Sequence, residues 1–180
     1  TCQSVVSGLD CSVKTAFEIQ CRTGNILSDL AKKHPQYSRI FRYMGVKVSS
    51  KMTGCAGYAY VDKNEIKISE AFFADDNNFD KELYEIVTHE AAHCIVYLRY
   101  TVVGKTVRDH GPEWKAIHRS LGGTGRHYHR LKLAAGFKKR SKVERAYTVP
   151  CLKCQQEIPV TATRYKRHKM GVGCWHKKCP

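Results

Sequence analysis

His89-Glu90-Ala91-Ala92-His93 sets two imidazoles four residues apart with a carboxylate between them. On a helix that spacing brings both rings to one face, a turn apart, where they can chelate one zinc ion while Glu90 reaches a water on the metal. The chemistry served by such a set is peptide-bond hydrolysis. Zinc lowers the pKa of the water toward neutrality and stabilises the developing oxyanion; Glu90 takes the water's proton and passes it to the leaving amine. Short motifs recur by chance, but this one falls inside an amphipathic stretch, where histidines beside a buried stripe need partners of some kind.

A catalytic zinc needs a third protein ligand. Val96 and Arg99 stand where the longer HExxHxxGxxH pattern requires Gly and His, which excludes that arrangement. His110 is the best-placed candidate: it immediately precedes Gly111-Pro112, and a second helix packed antiparallel to the first would carry its ring to the metal. Glu113 is the alternative, Asp109 is placed to orient a ligand from behind, and His118 reads as core or surface.

The elements that must position these groups follow from periodicity. From Asp80 to about Tyr100, Leu83, Ile86, Val87, Ala91, Cys94, Ile95 and Leu98 form a wide helical stripe, with Asp80 as N-cap. A second helix is expected from Pro112 through Trp114, Ile117 and Leu121 to Gly122-Gly123. Residues 13–33 read as a scaffold helix interrupted at Gly24 and ended before Pro35. Between Met44 and Ser69, alternation at 46–48, 59–61 and 66–68, with a turn signal at Asp62-Lys63-Asn64, predicts a small antiparallel sheet. Gly45, Gly54 and Gly57 read as turn or bulge residues.

Cys151-x2-Cys154, an interval of 19 residues and Cys174-x4-Cys179 have the two-knuckle layout of a zinc ribbon, whose four thiolates make a closed, structural site. The second knuckle is wider than usual, so His168 or His176 could replace a cysteine. Cys94 reads as a small core residue. Charge is segregated: the net charge is +15, yet residues 1–110 carry 14 Lys/Arg against 13 Asp/Glu, while 111–180 carry 17 against 3. An anionic partner is expected there. Arg164-Tyr165-Lys166-Arg167-His168-Lys169 surrounds one aromatic ring with cations, and Lys138-Lys139-Arg140 adds three more. That mixture suits phosphate contacts and base stacking, hence DNA that is single-stranded or contains junctions, bound without sequence specificity. No helix-turn-helix or finger pattern offers a base-reading helix. With no apolar stretch long enough to cross a bilayer and no leader pattern, the expectation is an intracellular monomer that does not engage membranes.

HEAAH at 89–93, then His110-Gly111-Pro112-Glu113-Trp114-Lys115 and the cysteine module, together resemble the SprT-like metalloproteases, over about residues 45–180 and including Met52-Thr53-Gly54 through Ile68. The resemblance implies an α+β, zincin-like protease fold, with His89, His93 and His110 as zinc ligands and Glu90 as the catalytic acid/base. It also implies a role in digesting proteins crosslinked to DNA, with nucleic acid recruiting or activating the protease. The organisation expected is a metalloprotease domain at 1–125, a basic linker at 126–145 and a zinc-ribbon DNA-binding module at 146–180, holding one catalytic and one structural zinc. Two alternatives stand beside it: a non-catalytic nucleic-acid-binding protein whose zinc sites are structural, and a general peptidase independent of DNA.

Overall fold

The computed structural model describes residues 15–74, 79–129, 131–139 and 147–174. The chain divides into two compact units, residues 1–139 and 140–180, each taken here by itself. In the first, helix α1 (Ala16–Lys33) opens on a reciprocal cap: Thr15 Oγ1 accepts from the Glu18 N–H, and the Glu18 carboxylate accepts from the Thr15 N–H. The break expected at Gly24 does not occur. Glycine costs a helix only about 1 kcal/mol, and burial of Ile19, Thr23, Ile26, Leu27, Leu30 and Ala31 along one face outweighs it.

Strands β1 (Gly45–Ser49), β2 (Gly57–Tyr60) and β3 (Glu65–Ser69) form a sheet in the order β1-β3-β2. The β2–β3 hairpin is antiparallel as expected, turning through Asn64 at φ 48°, but β1 runs parallel to β3. The sheet is therefore mixed, which corrects the antiparallel expectation. Alternation with period two marks which side chains share a face and carries no information on strand direction. Ile66 and Ile68, fully buried, put β3 at the centre, leaving β2 as an edge strand.

Two short helices, α2 (Ser38–Arg42) before the sheet and α3 (Glu70–Phe73) after it, lead to α4 (Phe79–Val96), which buries Leu83, Ile86, Val87, Ala91, Ala92, Cys94 and Ile95 and continues into a π-helical turn, Tyr97–Thr101. That wider turn, closed by Val102 N–H on the Tyr97 carbonyl at 3.0 Å, rotates the residues beyond it, so Leu98 leaves the expected stripe and is 38% exposed. Asp80 lies inside the first turn rather than at the cap, and its carboxylate accepts from Arg22 Nε at 2.7 Å. Helix α5 (Pro112–Ser120) ends at Leu121, just ahead of the expected stop at Gly122-Gly123, and there Tyr84 of α4 donates its hydroxyl proton to the Leu121 carbonyl at 2.8 Å.

Residues 126–139, read from the sequence as linker, belong to the first unit. Ala134 is buried and donates its N–H to the Ala71 carbonyl at 2.8 Å, Leu131 packs against the main core, and His129 Nε2 accepts from the Ala56 N–H at 3.3 Å. Of the apolar residues interleaved with the cations, Ala134 is buried and Leu131, Leu133 and Phe137 are half-buried, whereas Tyr128 is exposed.

In the second unit, β4 (Tyr147–Pro150) and β5 (Glu157–Val160) pair antiparallel and are followed by helix α6 (Ala162–Lys169), capped by Thr161 Oγ1 accepting from the Arg164 N–H. Val149, Cys151, Ile158, Val160 and Cys174 form its core, with Cys154 and Tyr165 packed against them. The hairpin and the helix that carries the cations at 164–169 were not predicted from the sequence pattern. Among the described residues, no helix is long and apolar enough to cross a membrane. Ala134→Asp should lower the melting temperature of the full chain, because it buries a carboxylate at a cost of about 2 kcal/mol or more. A residue in a free linker would give no shift.

Candidate metal centre

Helix α4 presents His89 and His93 one turn apart, and the turn before α5 delivers His110 to them. His110 Nε2 lies 3.0 Å from His93 Nε2 and 3.1 Å from His89 Nε2. Among the described residues, these three form the one group of His, Cys, Asp or Glu whose donor atoms all fall within 4.8 Å of each other. Glu113, the sequence alternative for third ligand, is not part of it.

The local sequence explains how His110 arrives. It adopts φ 51°, a left-handed conformation that non-glycine residues rarely hold. Gly111 follows because a Cβ there would sit 2.7 Å from the Arg108 carbonyl oxygen, and that carbonyl accepts the Gly111 N–H at 2.9 Å. Pro112 then starts the helix at a position where its missing N–H costs nothing. Two residues on, Trp114 is buried beneath the imidazoles. Its ring centre lies 4.6 Å from that of His89, 5.3 Å from His93 and 4.7 Å from His110, and its Nε1 donates to the His89 carbonyl at 3.4 Å.

Burial, reinforced by the neighbouring imidazoles, pushes His89 down to about 3 and His93 down to about 4. His110 is lowered too, burial outweighing the attraction of the Asp109 carboxylate. The rings are therefore neutral at pH 7. Asp109, expected behind a ligand, faces two of them: Oδ1 is 3.5 Å from His93 Nδ1 and Oδ2 is 3.3 Å from His110 Nδ1. Protons held at Nδ1 by that carboxylate leave the Nε2 lone pairs converging on one point. Three imidazoles that converge through Nε2, with His110 3.0 and 3.1 Å from the other two, are a donor set that a metal ion satisfies.

Glu90 is 7% exposed, and burial, with the charge of Asp109 adding, pushes its carboxyl up to about 8. Gly57 on β2 closes over it: a Cβ there would stand 2.6 Å from Glu90 Oε1 and 2.7 Å from Ile86 Cγ2. Gly57 is thus a site residue rather than the turn or bulge residue expected, because β2 begins two residues earlier than the alternation at 59–61 showed and a glycine inside a strand admits a close approach. His118, expected as core or surface, is core: it is fully buried under Gly123, with Nε2 3.6 Å from Glu85 Oε1. Cys94 is fully buried as expected, its thiol pushed up to about 12 by burial and then by Glu90. Two further histidines were hidden by the linker reading. The ring of His127 lies 5.6 Å from that of His110, and His129 packs edge-on against Phe72 at 5.4 Å while holding the start of β2 through Ala56.

In the second unit Cys151 and Cys174 are buried in one cluster, Cys154 is half-buried beside them, and the Leu152 N–H donates to the Cys174 carbonyl at 2.9 Å, joining the two knuckles. Cys179 and His176 lie outside the described residues. Arg164, Lys166, Arg167 and Lys169 are exposed on α6. Tyr165 is half-buried and stacked on Tyr147, with ring centres 4.6 Å apart and planes at 20°. Lys138 and Lys139 are exposed at the end of the first unit, and Arg140 lies outside the described residues.

The family model that matches this chain is that of the SprT-like family, over residues 27–139. The match begins before residue 45 and ends short of the cysteine module. Among curated relatives, Protein SprT of Vibrio atlanticus is 42% identical over 71 residues, covering 39% of this chain and 39% of that protein. Protein SprT of Vibrio parahaemolyticus is 29% identical over 128 residues, 61% of this chain and 74% of the relative. That of Glaesserella parasuis is 34% identical over 76 residues, 41% and 44% respectively. The chain thus spans about two fifths of the first of these relatives. No solved structure matches it.

Replacing Asp109 with Asn should weaken divalent-metal binding by about 10–100-fold, read by competition with a chelator, while the fold persists. The metal-free chain should lose stability as the pH falls below about 6.5. In the unfolded chain His89 and His93 take up protons as the pH falls through about 6.5, but in the folded chain only near 3 and 4. At pH 5 the loss is roughly 1–2 kcal/mol for each, visible as a falling melting temperature in the presence of chelator.

Proposed function

Because the chain belongs to the SprT-like family and sets three converging imidazoles beside a buried carboxylate, we propose that it is a zinc metalloendopeptidase of DNA-bound or DNA-crosslinked proteins. The observation that carries the reading is Glu90. A structural metal site has no use for an ionisable carboxyl buried next to its ligands, whereas a hydrolytic one needs a proton acceptor with a pKa near neutrality. Burial raises the Glu90 carboxyl toward that range in the metal-free chain, and a cation held by the three imidazoles would draw it back down, so that the carboxylate is there to accept the proton.

His89, His93 and His110 would hold the zinc, and three protein ligands are the number that catalytic zinc sites use. Bound there, zinc supplies Lewis acidity, lowering the pKa of a water and polarising the scissile carbonyl. Glu90 accepts the water's proton at its carboxylate and returns it to the leaving nitrogen. Asp109 keeps His93 and His110 in the tautomer that points Nε2 inward, and Trp114 keeps their rings from turning. Edge strand β2, with Gly57 against Glu90, offers unpaired backbone groups to an extended substrate, so recognition rests on main-chain pairing rather than on particular side chains. The fold is then zincin-like, its protease domain running to about residue 139.

The second unit serves as a DNA-binding zinc ribbon. Cys151, Cys154, Cys174 and Cys179 are its ligands, and His168 stands as an alternative because its Nδ1 is buried without a hydrogen-bond partner among the described residues. Its exposed cations supply salt-sensitive phosphate contacts, and tethering the protease to DNA raises the local concentration of substrates there. An intracellular, DNA-associated location follows from that role.

The test is cleavage of a basic DNA-binding protein by the zinc-loaded chain and by Glu90→Gln, with and without DNA. Cleavage should require Glu90, fall by 100-fold or more in the variant at unchanged zinc content, and be stimulated by DNA. Glu90-dependent cleavage indifferent to DNA would favour the general peptidase; none at all would favour a structural binding protein. Gly57→Ala should likewise depress cleavage while zinc content holds, because its methyl displaces Glu90. Without metal, Glu90→Gln should raise the melting temperature at pH 7. A folded pKa near 8 against an ordinary 4.5 means that ionisation opposes folding increasingly as the pH rises through that window. Removing it is worth on the order of 1–3 kcal/mol.

A further inference from the structure

The turn after α5 carries the chain back past the metal centre. Gly122 and Gly125 hold φ of 87° and 75°, and at Gly123 between them a Cβ would collide with the ring of the buried His118. The segment that follows is tied at both ends. Thr124 donates its N–H and its hydroxyl proton to the Glu85 carboxylate on α4, at 3.1 and 2.5 Å, and His129 Nε2 accepts from the Ala56 N–H at 3.3 Å. Glu85 stands one helical turn before His89, and Ala56 stands next to Gly57, which closes over Glu90. Residues 124–129 therefore form a strap from the helix that carries the ligands to the strand that covers the carboxylate.

Arg126, His127 and Tyr128, in the middle of the strap, are exposed. The ring of His127 lies 5.6 Å from that of His110, centre to centre, and 3.7 Å from that of Tyr128. Of the rings in contact with the three ligand imidazoles, Trp114 and His118 are buried, and the Trp114 N–H is committed to the His89 carbonyl. His127 is the one among them that faces solvent, the side from which a substrate arrives.

Hydrolysis of a peptide bond places negative charge on the scissile carbonyl oxygen, and a hydrogen-bond donor held beside that oxygen is worth more in the transition state than in the ground state. Asp109 can only accept, and Glu90 is occupied with the proton of the water. An imidazole carries an N–H even when neutral, so the role asks no change of protonation from His127. Tyr128, packed against the ring, restricts the orientations open to it, which is the preorganisation that such a donor needs.

We propose that His127 is a further catalytic residue, whose ring N–H donates to the oxyanion developing on the scissile carbonyl. This rests on the protease reading of the site and adds to it a protein donor, delivered by the strap at 124–129.

The experiment compares the zinc-loaded chain with its His127→Phe and His127→Gln variants, with a basic DNA-binding protein as substrate in the presence of DNA. Phe keeps a ring against Tyr128 and removes the donor, whereas Gln restores an N–H. His127→Phe should lower kcat by about 100-fold, with KM within about 2-fold of wild type and with zinc affinity and melting temperature unchanged. His127→Gln should recover at least about 10-fold of that loss. A second readout needs no turnover: a phosphinic peptide, which sets a tetrahedral anionic phosphorus in place of the scissile carbonyl, should bind the His127→Phe chain about 10–100-fold more weakly by calorimetry. A raised KM with kcat intact would make His127 a wall of the cleft, and weakened zinc binding would make it a ligand. Either result, or an unchanged kcat and phosphinic-peptide affinity, would overturn the inference while Glu90-dependent cleavage stands. Wild-type cleavage no faster than that of Glu90→Gln would overturn the protease reading, and the inference with it.

Discussion

Three imidazoles meet because Trp114 packs α5 against α4: its indole lies within 5.3 Å of all three rings, centre to centre, and its N–H is spent on the His89 carbonyl. Much else is arranged around that contact. The left-handed His110, the uncrowded Gly111 and the helix-starting Pro112 allow the chain to turn sharply enough for Trp114 to enter the core while the residue before the turn reaches back to α4. Tyr84, bonded to the Leu121 carbonyl, closes the far end of the same helix pair. The packing of one aromatic side chain thus converts two helices into a ligand set.

The same burial that orders the site strains its ionisation. Neutral imidazoles and a carboxyl held near pH 8 are what a dry pocket imposes, and a pocket of that kind destabilises the fold whenever a proton or a charge is forced into it. Gly57 shows how tightly the pocket is drawn, since a single methyl group would collide with both Glu90 and Ile86. Such a pocket costs stability, and the surrounding core of Ile66, Ile68, Leu83, Val87 and Ile95 offsets it.

Charge is not divided between the two units: acidic and basic residues nearly balance up to residue 110, and the excess of cations is shared by the end of the first unit and the second unit, which carries ten Lys/Arg against two Asp/Glu. Its small core, with Cys151 and Cys174 buried at the centre, is the kind that a bound metal stabilises, because so few apolar side chains are available.

Periodicity and motif spacing by themselves determined the scaffold helix, the helix carrying His89, Glu90 and His93, the helix beginning at Pro112, the β2–β3 hairpin and the choice of His110 ahead of Glu113. These depend on neighbours along the chain: side chains three or four apart share a helix face, and turn residues act within a few positions. Tertiary structure alone decided what depends on distant partners. Strand β1 lies parallel to β3 because the chain crosses from β1 to the far edge of the sheet at β2 and returns through the hairpin. The π-helical turn expels Leu98 from a stripe that its spacing had placed inside. Ala134 and Leu131, set among cations, pack against the core of the first unit, so a stretch that reads as linker is part of that unit. Tyr165 faces Tyr147 instead of solvent. In each case the composition of the segment was plain, but its orientation follows from which surface lies opposite, and no local pattern encodes that.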